Sequence, residues 1–210
     1  VKLWNGEENK GSSWSCEHGM GRWHRDCGCR PPTAPGWTQD WRGPLRDAFD
    51  ALRDRVREVA RRELGGLVWD ADDALRAYID ILLAPGAATR RRFLDRHAQR
   101  RLDIDEVEKL WRILEAQHNA MLMYTSCGWF FDEISGLEPV QNLRYALRPS
   151  ELSRPFADGV LACGFLSALG QIAPIDNDYA DGLEICRQLS LLDTRAKPAL
   201  PPHWPALPHL

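Results

Sequence analysis

The chain has 210 residues, 44% hydrophobic and 27% charged, with a formal net charge of -3, the balance of a soluble globular protein. That charge excludes a dedicated phosphate-backbone binder, which carries a clear positive excess. No apolar run reaches the roughly 18 residues a spanning helix needs, and six cysteines are too dilute for a disulfide-built mini-domain.

The first residue is Val1 rather than Met, so the sequence is expected to begin partway through a longer polypeptide. It shows no secretory signal pattern, and a cytoplasmic location is expected. Residues 1–10 read as the end of an element followed by a polar turn. Residues 12–29, SSWSCEHGMGRWHRDCGC, then spend cysteine, histidine, tryptophan and glycine densely with no steady hydrophobic period. Such a stretch predicts a shaped loop, where function concentrates. The connector RPPTAPGWTQDW excludes regular helix through Pro31, Pro32, Pro35 and Gly36.

From Pro44 the pattern turns helical. Leu45, Phe49, Leu52, Val56 and Val59 recur at three- and four-residue steps until Gly65 and Gly66. Asp70 predicts the cap of a second helix with Leu75, Tyr78, Ile79 and Leu82 inward. A third spans about Thr89 to Arg101, with Phe93, Leu94 and His97 inward. Asp103 and Glu106 form a capping box for the longest helix, and its apolar continuation from Ala120 to Phe131 predicts a central helix buried on all sides. Ser135 and Glu138 predict another capping box, and two more helices follow at about Phe156 to Leu169 and Asp178 to Leu192. The fold class expected is all-α: a helical bundle of about six or seven helices over 44–195, with an irregular Cys/His/Trp-rich N-terminal arm over 1–43 and a Pro-rich tail over 196–210. Cys163 and Cys186 fall in apolar helical patterns and read as small hydrophobes. The run Arg90 to Arg92 reads as a solvated face.

Two constellations could carry chemistry. Cys16, His18, Cys27 and Cys29 place soft and borderline ligands in one loop, the donor types zinc takes, yet without the paired C-x2-C spacing of the common zinc folds. Structural use of these side chains is the first expectation and zinc the alternative. The second constellation is His118, Thr125, Trp129 and Asp132, expected near one face of the central helix. A buried Asp132 needs a cation or several donors, which Arg22, Arg25 or His18 could supply. For His118 a satisfied core histidine is the first reading. No Gly-rich phosphate loop, nucleophile elbow or H-E-x-x-H is present, and Asp132 and Glu133 point in different directions, unlike a glycosidase pair.

Together, residues 12–29 and MLMYTSCGWFFDEISGLEPVQNLRYA over 121–146 resemble the C-terminal helical region of a subset of glycoside hydrolase family 57-like proteins, in which a domain of unassigned role lies behind the catalytic barrel. The resemblance covers about residues 11–195. It implies a helical part that packs on an incomplete (β/α) barrel of the same parent chain and completes a cleft for oligo- or polysaccharides of the α-glucan type. Catalysis in that family is retaining, with a Glu nucleophile and an Asp acid/base on the barrel. No barrel is present here, so no catalytic residue is assigned and the chain is not expected to be active alone. The subset has Asn-Thr before its Ser-Trp-Ser-Cys, where this chain has Gly11 and Ser12. Trp14, His18, Arg22, Trp23 and the segment Thr125 to Asp132 are expected to line one cleft, with substrate contacts from Trp14, His18, Arg22, Trp23, Thr125, Trp129 and Asp132. No cofactor, nucleic acid or membrane partner is expected. The competing expectation is a metal-stabilised structural or interaction module held by Cys16, His18, Cys27 and Cys29.

Overall fold

The structure, a computed structural model, describes residues 18–29, 38–157, 160–174 and 178–195. The expectations for Trp14, Cys16, the side chain of Cys163 and the Pro-rich tail lie outside the described residues. Within them the chain is all-α, with seven helices: α1 Arg42–Leu64, α2 Ala71–Leu83, α3 Ala87–His97, α4 Ile104–Leu122, α5 Leu137–Ser153, α6 Val160–Leu169 and α7 Gly182–Arg195. The one β-contact among the described residues is a single bridge between Val68 and Ala98. No helix among them is long and apolar enough to cross a membrane.

Two helices run through both halves of the bundle. Leu45, Ala48, Phe49, Leu52, Val56 and Val59 of α1 enter one core with the C-terminal half of α4, α5, α6 and α7. Ala60 and Leu64 of α1 enter a second core with α2, α3 and Leu110, Trp111, Ile113 and Leu114 of α4. The three- and four-residue spacing explains how each helix presents one continuous apolar stripe to both cores. Cys186 of α7 is buried in the first core, and burial pushes its thiol up to about 12.

Local chemistry sets the helix ends. Asp70 caps α2 by accepting from the Asp73 amide at 2.8 Å. Asp103 accepts from the Glu106 amide at 2.9 Å while the Glu106 carboxylate accepts from the Asp103 amide at 3.0 Å, the expected capping box.

Three expectations are corrected. The apolar run 120–131 is not one helix: α4 stops at Leu122 and the chain turns through a short 3-10 segment, Ser126–Trp129. Gly128 packs against Asn142 so closely that any Cβ would collide with that amide, and Asn142 Nδ2 donates to the Thr125 carbonyl at 2.9 Å. Nor is the run buried on all sides: Ala120, Met123, Gly128 and Trp129 are buried, while Met121, Thr125, Cys127, Phe130 and Phe131 are exposed, so apolar composition alone does not make a helix. Ser135 does not cap α5, whose N-cap is Gly136; the Ser135 amide donates instead to Glu133 Oε1 at 3.0 Å. Finally, α2 buries Ala74, Tyr78 and Ile81, a face rotated from the predicted one, which leaves Ile79 and Leu82 exposed.

Candidate functional site

The loop from His18 to Cys29 and the turn from Ser126 to Ile134 meet at one end of α1. In the loop, Gly21–Trp23 is a single 3-10 turn that aims Arg22 inward. Buried Arg22 donates from Nη1 to the Phe130 carbonyl at 3.2 Å and from Nη2 to the Cys29 carbonyl at 2.9 Å. Its guanidinium also lies 4.8 Å from the Phe130 ring centroid. One side chain thus ties the loop to itself and to the turn.

A second arginine reaches the same point from α1. Arg42 donates to the Phe130 carbonyl at 3.1 Å and the Phe131 carbonyl at 3.5 Å, and to Gln39 Oε1. Gln39 in turn donates from Nε2 to Asp132 Oδ1 and from its amide to Asp26 Oδ2 at 3.0 Å. Trp41 Nε1 donates to the Asp132 carbonyl at 2.8 Å. The result is a polar network centred on buried Gln39, which joins half-buried Asp26, buried Asp132 and buried Arg42. Burial, followed by the Arg22 charge, pushes the Arg42 guanidinium down to about 10, while Cys27, Asp26 and Asp132 oppose that fall. Buried charges persist only when paired and hydrogen-bonded in this way.

Asp132, expected to touch substrate, is 1% exposed; its carboxylate accepts from Gln39 at Oδ1 rather than from Arg22, Arg25 or His18, its backbone carbonyl accepts from Trp41, and buried Oδ2 has no hydrogen-bond partner among the described residues. Trp129 is likewise 1% exposed; it stacks on Trp41 at 6.0 Å and meets Phe49 edge-on at 6.0 Å. It is a core residue and offers no face to a sugar ring. Arg22 is spent on carbonyls. These three therefore shape the site rather than contact a ligand. His118, Thr125, Trp129 and Asp132 do not share a helical face, because α4 ends before Thr125. Exposed Thr125 donates its hydroxyl to the Leu122 carbonyl at 2.6 Å. His118 sits on α4 beside Tyr78, at 6.4 Å between rings, in a groove with Leu75, Ile79, Leu82 and Met121.

What faces solvent near the junction is a different set. His18 is exposed and Trp23 half-buried, and Phe130 and Phe131 are 39% and 42% exposed with rings 5.2 Å apart, edge to face. Sequence reasoning missed Gln39 and Arg42, and took in Phe130 and Phe131 only as members of the segment Thr125 to Asp132. Arg42 did leave a signal: a positive side chain in the first turn of a helix opposes the macrodipole, so it needs a local reason to be there.

Three of the metal-ligand candidates are also brought together. The donor atoms of His18, Cys27 and Cys29 all lie within 4.8 Å of one another, and His18 Nδ1 is 3.2 Å from Cys29 Sγ. Asp26 fixes the hairpin between the cysteines by accepting from the Gly28 amide at 2.7 Å. Gly28 itself takes a φ of +77°, a left-handed conformation that a side chain would strain.

Among curated proteins and among solved structures, nothing matches this chain. A family model described as "Domain of unknown function (DUF3536)" matches residues 37–194, from the segment just before α1 to the end of α7, and leaves the loop 18–29 outside. That match spans more than half of the sequence, and the chain belongs to the DUF3536 family.

Proposed function

We propose that this chain is the C-terminal helical part of a family 57-like glycoside hydrolase of the α-glucan type, inactive alone, whose loop and turn complete a substrate cleft on the catalytic barrel of the same parent chain. The observation that carries the reading is the double-arginine clamp at the Phe130 carbonyl. It spends two buried guanidiniums on holding an irregular loop against an irregular turn, while leaving the Phe130 and Phe131 rings at the surface. Burying charge to fix loop geometry costs stability that an apolar junction would not. A selective polar pocket repays that cost, since it needs preset walls. Exposed aromatic rings beside a histidine and a hydroxyl are the mix that receives sugars, with rings against apolar sugar faces and polar groups on hydroxyls. The sequence resemblance of 12–29 and 121–146 points the same way.

The contacts proposed are therefore His18, Trp23, Thr125, Phe130 and Phe131, with Arg22 and Asp132 positioning them. The test uses the parent polypeptide with its barrel, assayed on α-glucans with and without Phe131→Ala. Losing one stacking ring is expected to raise KM about three- to tenfold with kcat nearly unchanged. A parent without a barrel, or one whose glucan kinetics ignore Phe131→Ala and Trp23→Ala alike, overturns the reading.

A further inference from the structure

Within the loop, His18, Cys27 and Cys29 form the one group of three or more His, Cys, Asp or Glu donors close enough to share an ion among the described residues. Around a tetrahedral zinc, with Zn–S of about 2.3 Å and Zn–N of about 2.0–2.1 Å, neighbouring donors stand roughly 3.5–3.8 Å apart. The spacings found, from 3.2 Å between His18 Nδ1 and Cys29 Sγ up to a limit of 4.8 Å, bracket that value. Each donor has to move by about 1 Å or less to reach it. Two thiolates and one imidazole are also the donor chemistry that selects zinc over calcium or magnesium.

The surroundings are built for close approach. Gly21 lies beneath the pair, where an added Cβ would stand 3.4 Å from His18 Cβ and 3.6 Å from Cys27 Cβ. The Gly21 amide donates to the His18 carbonyl at 2.9 Å. Left-handed Gly28 turns the chain between the two cysteines, and Arg22 holds the Cys29 carbonyl. These contacts orient the residues that carry the ligands, which is what outer-shell partners do in metal sites.

We propose that His18, Cys27 and Cys29 bind one zinc ion that closes the loop around Arg22 and so presets the clamp on the turn 126–134. Binding takes the imidazole neutral and each thiol as thiolate, releasing two protons, so that the dication and two thiolates form a neutral unit. The ion links the residue three positions before Gly21–Trp23 to residues four and six positions after it, which makes it a clasp on that turn. The proposal does not depend on the glycoside hydrolase reading, because its readouts are metal content and spectrum rather than activity on glucan.

The test is elemental analysis of the intact chain, purified under reducing conditions without a metal-affinity step, followed by replacement with cobalt(II). Stoichiometric zinc is expected, together with the thiolate-to-cobalt charge-transfer absorption of a cysteine-ligated site. His18→Ala, at an exposed position, and Cys29→Ser, at a half-buried one, are expected to lose both signals while keeping helical circular dichroism. Cys127→Ser, exposed and outside the loop, is expected to keep both. Chelation should lower Tm in the parent protein and leave Tm of Cys29→Ser unmoved. A folded chain that purifies metal-free and shows no cobalt–thiolate band overturns the proposal, as does one in which Cys27 and Cys29 are found as a disulfide, or in which His18→Ala and Cys29→Ser bind metal like the parent.

Discussion

The core shared by α2, α3 and the N-terminal half of α4 closes around Tyr78, Phe93 and Trp111, whose rings lie 5.1–6.5 Å apart. The core shared by α5, α6, α7 and the other half of α4 closes around Trp41, Phe49 and Trp129. The second has Gln39, Arg42 and Asp132 threaded through its end, whereas in the first His97 faces half-exposed Asp73 at 3.5 Å and Arg90 lies over Trp111. The difference teaches where geometry is specified mainly by shape, with polar groups at the margin, and where it is specified by donors and acceptors within the core. Apolar packing tolerates substitutions that conserve volume. A buried polar chain does not, because each removed member orphans another.

The sharpest way to break that contrast is Arg42→Ala. It strips a donor from the Phe130 and Phe131 carbonyls and from Gln39, and leaves Asp132 without its nearby positive charge, so a loss of about 3–5 kcal/mol is expected by urea denaturation. Arg42→Met should recover little of it; a loss under about 1 kcal/mol would mean that the chain of polar groups is not sealed from water. In the apolar core, Leu110→Ala is expected to cost about 2–5 kcal/mol through the cavity it leaves, but Leu110→Met less than about 1.5 kcal/mol. Near-equal penalties for Arg42→Met and Leu110→Met would erase the distinction. Gly128→Ala forces Asn142 off the Thr125 carbonyl and should cost roughly 1–3 kcal/mol of overpacking. Asp103→Ala removes one cap from α4 and should cost about 1 kcal/mol, read as a small fall in Tm.

The smallest effect is one of pH. Hydrogen bonds from Arg100, and then from the Asp103 amide, hold the Glu106 carboxyl down at about 2 against an ordinary 4.5. A depressed folded value means that its contribution is fully present above the ordinary value and is lost as pH falls from 4.5 toward 2. Because Glu106 pairs with exposed Arg100 at the surface, where solvent screens the charges, Glu106→Gln should only slightly flatten the acid limb of a stability–pH curve.

How much of this was legible follows from the same contrast. The regular helices carry their instructions locally: a stripe on α1, an Asp70 cap, and the Asp103 and Glu106 box all read directly from spacing. The face of α2 was misjudged because Ile79 and Leu82 are as apolar as Ala74 and Ile81, so apolarity alone does not tell which of them is buried. Around the site the sequence misleads for a physical reason. AMLMYTSCGWFF reads as one apolar run but mixes buried Ala120, Met123 and Trp129 with exposed Met121, Phe130 and Phe131, and a turn replaces the helix where Asn142 and Arg42 take up its carbonyls. The partners of those carbonyls lie 17 and 88 residues away, beyond any local pattern. Trp129 was singled out for ligand binding as an aromatic residue, while the exposed rings next to it, Phe130 and Phe131, entered only as part of the segment Thr125 to Asp132.

The raised pKa of Cys186 gives the molecule a chemical stopwatch. A thiol sealed in the core and held protonated cannot attack an alkylating reagent, while surface Cys127 reacts at once. Residue-resolved mass spectrometry of slow labelling at Cys186 would therefore time how often α7 lifts from α5, under native conditions and without denaturant. If polar groups lock that half of the bundle, Arg42→Ala should shorten the interval between openings there, and Leu110→Ala should leave it nearly unchanged.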